Sequence, residues 1–201
     1  KIMFNDRYGL TQAVIEGRKT MTRRLVPWAL TEQWMEFVSD APSVGGVYVH
    51  ESEKEFYERE APRYKVGEVV AVAQSYRDVC AGGFEPDATI LRLFEEQRIA
   101  GWTNKMFTKA ELMPYQIRIT GIKCERLQDI SDEDCFREGI SESWYESTDT
   151  TTYGYADEKK GTAVEFDTPR KAFATLIDKV SGKGTWARNP WVVVYEFELV
   201  K

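Results

Sequence analysis

The chain has 201 residues, with 27 Lys or Arg, 33 Asp or Glu and a single His, a formal net charge of −6. At 42% hydrophobic and 30% charged it reads as one globular domain, long enough to bury about 70% of its unfolded surface, and not as a disordered chain. The lone His50 excludes His-rich metal sites, and the three cysteines, Cys80, Cys124 and Cys135, lack CxxC spacing, which argues against a disulfide framework or a Cys-rich zinc site and points to a reducing cytoplasm.

Ile2 to Phe4 opens the chain as a short strand. Leu10, Ala13 and Val14 follow at helical spacing, and Gly17 suits the left-handed residue that ends a helix. Arg18 to Val26 is rich in β-formers and long cations and reads as loop into strand, closed by Pro27. Residues 31–39 read as a helix capped by Thr31, with Trp34, Phe37 and Val38 on one face. The alternating Val47-Tyr48-Val49-His50 follows, and then Glu51 to Glu60, which shows no clear period.

A turn at Tyr64-Lys65-Val66-Gly67-Glu68 leads into the apolar strand Val69 to Ala73. Cys80 to Pro86 reads as a Gly-containing loop, and Ile90 to Ile99 fits helix or strand. Tyr115 to Arg126 alternates as a strand, with Gly121 marking a bulge or a close backbone approach. Ser131 caps a short acidic helix that Gly139 stops. Residues 141–167 are polar and aromatic and read as a mobile loop or small hairpin. Thr168-Pro169 then starts the best helix of the chain, with Phe173, Leu176, Ile177 and Val180 at i, i+3, i+4 and i+7. Asn189-Pro190 turns into the strongest strand, Trp191 to Val200. Regular βαβ alternation is absent. The pattern therefore predicts an α+β fold, a small barrel or strongly curved sheet with peripheral helices.

Charge is unevenly spread. Residues 1–24 carry Lys1, Arg7, Arg18, Lys19, Arg23 and Arg24 against Asp6 and Glu16, a net of +4, so the remainder sums to −10. An acidic body of this kind disfavours extended duplex DNA as a partner, because that binding neutralises many phosphates. A compact basic site stays open to it. No apolar run reaches the ~18 residues of a membrane span, and the first residues lack a signal-peptide apolar stretch. No membrane partner and a cytoplasmic location are expected.

Three stretches stand out in order: Glu16 to Arg24 with its Gly17-Arg18-Lys19-Thr20 start, Glu125 to Ile140, and Gly182-Lys183-Gly184-Thr185-Trp186 through Asn189-Pro190-Trp191-Val192. With Tyr64 to Glu68 between them, this set resembles the ASCH domain, a PUA-like β-barrel family, and is similar to the longer ASCH proteins of phages and prophages. The likeness runs from about Ile2 to Val200. It implies one ASCH/PUA-like domain over 1–201, with insertions at 27–62 and 141–167. It also implies a polar cleft for single-stranded RNA or a modified nucleoside, with no cofactor and no metal.

Some small ASCH members are amidohydrolases that deacylate N4-acetylcytidine. The resemblance places their catalytic residues on Lys19, Thr22 and Glu138, with Arg24 beside them. The chemistry suits the residue types. A Thr hydroxyl needs a base to take its proton, and a Lys serves as that base when burial or neighbouring cations such as Arg18, Arg23 and Arg24 lower its pKa. A partly buried Glu138 would protonate the leaving amine or orient the substrate. On a regular strand residues i and i+3 face apart, so Lys19 and Thr22 converge only if Lys19 sits in the turn after Gly17 or the strand is bulged.

Arg18, Arg23, Arg24, Gln74, Tyr76 and Trp186 complete the candidate ligand-binding set. Longer ASCH proteins often carry an Arg-Glu-Thr-Trp-like segment where this chain has Ala73-Gln74-Ser75-Tyr76, so the charged pair is missing here. Plainer readings stand beside these. Arg18 to Arg24 also fits a solvated edge strand protected by its cations. Glu138 is one of seven acids between Glu125 and Glu142. Trp186 and Trp191 read first as core aromatics, and the cysteines as small buried hydrophobes. Three functions follow as expectations: a domain binding RNA or a modified nucleoside, a metal-free amidohydrolase, or a phage-accessory interaction module without a small ligand.

Overall fold

The computed structural model describes residues 1–40, 51–82 and 100–200, together with Ala88 and Arg92. The alternating stretch ending at His50 and the ambiguous 90–99 stretch lie outside the described residues, apart from Arg92. The described strands are β1 (Met21–Leu25), β2 (Val69–Ala71), β3 (Gln116–Arg126), β4 (Ser141–Tyr145), β5 (Thr150–Asp157), β6 (Thr162–Phe166) and β7 (Trp191–Leu199). The described helices are α1 (Leu10–Ile15), α2 (Trp28–Asp40), α3 (Glu53–Glu60), α4 (Tyr76–Ala81), α5 (Asp132–Arg137), α6 (Pro169–Ser181) and α7 (Thr185–Arg188).

The fold is α+β. A curled antiparallel sheet runs in the order β1-β7-β3-β2, and a second sheet in the order β4-β5-β6. Strand β7 is central because Val192, Val193, Val194, Tyr195 and Phe197 are all buried, as its continuous apolar run requires. Its partner β3 changes register between Ile119 and Gly121, the bulge expected from the glycine. Ile2 contributes one parallel bridge to Val72 in place of a full strand.

Helix α6 follows its sequence pattern closely. Thr168 caps it by accepting from the Lys171 N–H, Pro169 opens it, and Phe173, Leu176 and Ile177 are buried. Ser131 caps α5 by accepting from the Asp134 N–H.

Four expectations are corrected. Thr31 is not a cap: α2 starts at Trp28, directly after Pro27, and Thr31 lies inside it. Glu53–Glu60 is a helix, held by a capping box in which Ser52 and Glu55 satisfy each other's backbone N–H groups. Cys80 belongs to helix α4, which Ser75 caps, and not to a loop. Residues 141–167 form the three-stranded β4-β5-β6 sheet, more than the loop or small hairpin expected. Every residue of β4 is exposed, so no hydrophobic alternation marks it in the sequence. Residues 56 and 57, in the stretch expected to be an insertion, send Phe56 and Tyr57 into the main core.

Candidate active site

The site begins where α1 ends. Gly17 takes the left-handed conformation at φ 73, which turns the chain back on itself. The Lys19 N–H then donates to the Ala13 carbonyl at 2.9 Å, and the Thr20 N–H to the Arg137 carbonyl at 2.9 Å. These bonds fix Lys19 in the turn before β1, while Thr22 is the second residue of the strand. The i, i+3 obstacle therefore disappears, because Lys19 is not part of the regular strand.

Lys19 and Glu138 meet in the interior, their side chains 2% and 6% exposed. Lys19 Nζ donates to Glu138 Oε2 at 2.6 Å and to the Glu138 backbone carbonyl at 2.6 Å. That carbonyl lies at the C-terminal end of α5, where a cation is favourably placed. Gly139, at φ 102, follows directly; a Cβ there would stand 3.3 Å from Leu10 Cδ2 and 3.6 Å from Lys19 Cδ. The glycine thus leaves room for the lysine stem as well as ending the helix.

Arg23 holds the carboxylate from the other side. Its guanidinium, fully buried, donates to Glu138 Oε1 at 3.2 Å, Glu125 Oε1 at 2.7 Å and Asp134 Oδ2 at 2.8 Å. Both oxygens of Glu138 are therefore occupied by cations, which orients the group. Burial works against the Arg23 charge, yet Glu138, Glu125 and Asp134 outweigh it and hold the guanidinium above its ordinary value. Lys19 goes the other way. Burial pushes its ammonium below the usual lysine range, Glu138 opposes this, and Arg24 and Arg23 reinforce it.

A cavity of about 280 Å³ opens over this pair. Lys19, Thr22, Arg23, Arg24 and Glu138 line its polar side. Phe173, Leu176, Ile177 and Val180, the periodic stripe of α6, line the apolar side. The stripe that marks a core helix in the sequence is thus also a cavity wall. The Thr22 hydroxyl has no hydrogen-bond partner among the described residues, and the residue is 5% exposed at the cavity. The cavity is at the small end for ligand sites and suits one planar group with a polar edge.

Of the residues selected from sequence, Lys19, Thr22, Arg23, Arg24 and Glu138 come together. The others do not join them. Arg18 is exposed and pairs with Glu16 at 2.5 Å, an ion pair formed beside the helix end. Tyr76 is buried in a separate small cluster with Val79 and Met113, its hydroxyl accepting from the Lys109 N–H at 3.0 Å. Gln74 lines a different, polar cavity with Asp6, Arg77 and Asp78. Trp186 packs edge-on against Phe173 and under the Arg170 guanidinium, so it supports the wall from behind and does not line the cavity. Arg23 is a correction of role: with three carboxylates around it, it braces Glu138 instead of standing free for a ligand.

Sequence reasoning missed Glu125 and Asp134. Both sit in an acidic run that reads as a solvated surface; the pairing of β3 with β7, and of β7 with β1, brings Arg23 to Glu125, and the packing of α5 against β1 brings it to Asp134. Among the described residues no cluster of His, Cys, Asp and Glu has the geometry to hold a metal ion. No helix among them is long and apolar enough to cross a membrane. Comparison with known proteins returns no match to a family model, to a curated protein or to a solved structure.

Proposed function

We propose that this chain is a PUA-like domain of the ASCH type. Its cavity binds a modified nucleoside of the N4-acylcytidine class, and the floor of the cavity hydrolyses the acyl amide. The observation that carries this reading is the buried Lys19–Glu138 pair at 2.6 Å, with the unpartnered Thr22 hydroxyl lining the same cavity. The apolar stripe of α6 gives a flat base a face to lie on, and Arg24 supplies a donor for its polar edge.

In this reading neutral Lys19 takes the proton of Thr22 Oγ1 as that oxygen attacks the acyl carbon. The lowered lysine pKa supports the role, since a fully charged ammonium has no lone pair to accept the proton. Collapse of the tetrahedral intermediate breaks the carbon–nitrogen bond, and Lys19 returns the proton to the leaving amine. Water then cleaves the Thr22 ester with Lys19 again as base. Glu138, held at both oxygens, positions Lys19 and balances its charge when protonated. The curled sheet with flanking helices is compatible with a PUA-like barrel, and a cavity of about 280 Å³ favours a single unstacked base over duplex nucleic acid.

The test is incubation of purified protein with N4-acetylcytidine, following both binding by calorimetry and release of cytidine by chromatography. Binding with turnover that disappears in Thr22→Val and Lys19→Ala supports the reading. Absence of binding, or turnover equal to that of the Lys19→Ala control, overturns it. Binding without turnover retains the nucleoside site and removes the hydrolysis.

A further inference from the structure

The cavity over Lys19 does not end at Arg24. A second cavity of about 240 Å³ adjoins it, and the two share Met3, Arg24 and Leu25. The second is built from another part of the chain, with Arg63 and Tyr64 from the segment after α3 and Tyr195 from β7.

Its chemistry differs from the first. Two guanidiniums line it, those of Arg24 and Arg63, and among the described residues neither is ion-paired to a carboxylate. This contrasts with the adjacent Arg23 and its three carboxylates. Arg24 donates to the Met3 carbonyl and lies 5.6 Å from the centre of the Phe4 ring. Arg63 lies 5.9 Å from the centre of the Tyr64 ring, and its backbone N–H donates to the Tyr195 hydroxyl at 2.7 Å, which pins residue 63 to the sheet. Lys1, the remaining cation there, already donates to the backbone carbonyls of Lys105, Met106 and Thr108.

Burial pushes the Arg24 guanidinium below its ordinary value, Glu138 opposes this, and Arg63 adds to the lowering. Like charges left together without a counter-ion are relieved by a bound anion, and planar guanidiniums match the oxygens of a phosphate. Arg63 is exposed, as suits a group meeting a phosphate that keeps part of its hydration.

We propose that this adjoining cavity is a phosphate subsite, so that the substrate is a nucleotide with its base over Lys19 and Glu138 and its phosphate between Arg24 and Arg63. The inference rests on the nucleoside reading of the first cavity. The phosphate is either the monoester of a free nucleotide or a backbone diester of a single strand.

Three probes separate these cases: N4-acetylcytidine, its 5′-monophosphate, and a short single-stranded oligoribonucleotide carrying the same base internally. Each is titrated at low salt into the wild type and into Arg63→Gln. At least one phosphate-bearing probe is expected to bind about tenfold or more tighter than the nucleoside, the range of charge-assisted hydrogen bonds. Arg63→Gln is expected to remove that gain and leave nucleoside affinity unchanged. A gain for the monophosphate assigns the monoester, and a gain for the oligonucleotide alone assigns the diester. If the nucleoside binds and neither phosphate probe binds tighter, or if Arg63→Gln keeps the gain, the phosphate subsite is overturned while the base cavity stands. If no probe binds, both readings fall.

Discussion

Glu138→Gln should destabilise this protein more than Lys19→Met, although both substitutions break the same ion pair. The asymmetry follows from what each partner retains. Without Lys19, the Glu138 carboxylate keeps Arg23 at 3.2 Å. Without the Glu138 carboxylate, Lys19 keeps only neutral acceptors, the residue-138 backbone carbonyl and the Gln amide oxygen, in a site where Arg24 and Arg23 repel it. Removing one partner of a buried pair costs about 3–5 kcal/mol when the other charge is stranded. Glu138→Gln should fall in that range, and Lys19→Met about 1–2 kcal/mol below it. At about 2–4 °C per kcal/mol for a chain of this size, the Gln variant should melt roughly 6–20 °C below the wild type.

The pH dependence gives a second handle on the same variant. Lys19 already titrates below its unfolded value, and loss of the carboxylate that raises it lowers it further. For a lysine with a depressed folded pKa, the folded state releases its proton first as pH rises, so the unfolded state binds more protons and stability increases with pH. The Glu138→Gln penalty should thus be present at neutral pH, where the wild-type pair is charged, and shrink as pH climbs through the variant's lowered lysine pKa. Urea denaturation at pH 6 and pH 9 measures it. A Lys19→Met variant as costly as Glu138→Gln, or a penalty that is flat or grows with pH, would refute the reasoning.

Three further outcomes are expected. Thr22→Val strands no hydrogen-bond partner among the described residues, so it should leave a folded protein with a cooperative thermal transition while abolishing any turnover of N4-acetylcytidine; a stable but fully active variant removes Thr22 as nucleophile. Gly154→Ala would drive a Cβ into the Val164 carbonyl of the neighbouring strand, with Val164 C at 3.1 Å and Glu165 Cα at 3.3 Å, and should cost about 1–3 kcal/mol, whereas Gly161→Ser meets open space; Gly161, at φ 65, carries its own backbone strain, so retained wild-type stability of Gly154→Ala is the result that counts against the packing of β5 on β6. Burial pushes the thiols of Cys124 and Cys135 up to about 11 and about 12, so only half-buried Cys80 should react promptly with a disulfide reagent at pH 8 in the folded protein; fast modification of two or more thiols would contradict the core described here.

Folding pairs most of the basic N-terminal segment with carboxylates. Its net of +4 over residues 1–24 suggests a free cationic surface. In the folded chain Arg7 pairs with Asp157, Arg18 with Glu16, Lys19 with Glu138, and Arg23 with three carboxylates. Most of the surplus is thus neutralised by acids brought from elsewhere in the chain. Arg24 is the cation of β1 that lines both cavities.

The sequence alone determined elements whose signals are local. The Thr168-Pro169 cap and apolar stripe specify α6, the unbroken apolar run specifies β7, Gly121 marks the bulge, and Gly17 and Gly139 mark the two chain reversals. The capping box at Ser52 and Glu55 was equally local but sits in a strongly acidic run with one apolar pair, which obscures its period. Strand β4 carried no signal because all of it faces outward. Tertiary structure decided the site. Lys19 and Glu138 are 119 positions apart, and Arg23 reaches Glu125 and Asp134 across more than a hundred residues. A long-range contact of that kind depends on strand order and register, which no window of sequence contains. The same holds for α6: its period predicts a buried face, but only the packing against β1 and the first residues decides that part of this face borders a cavity.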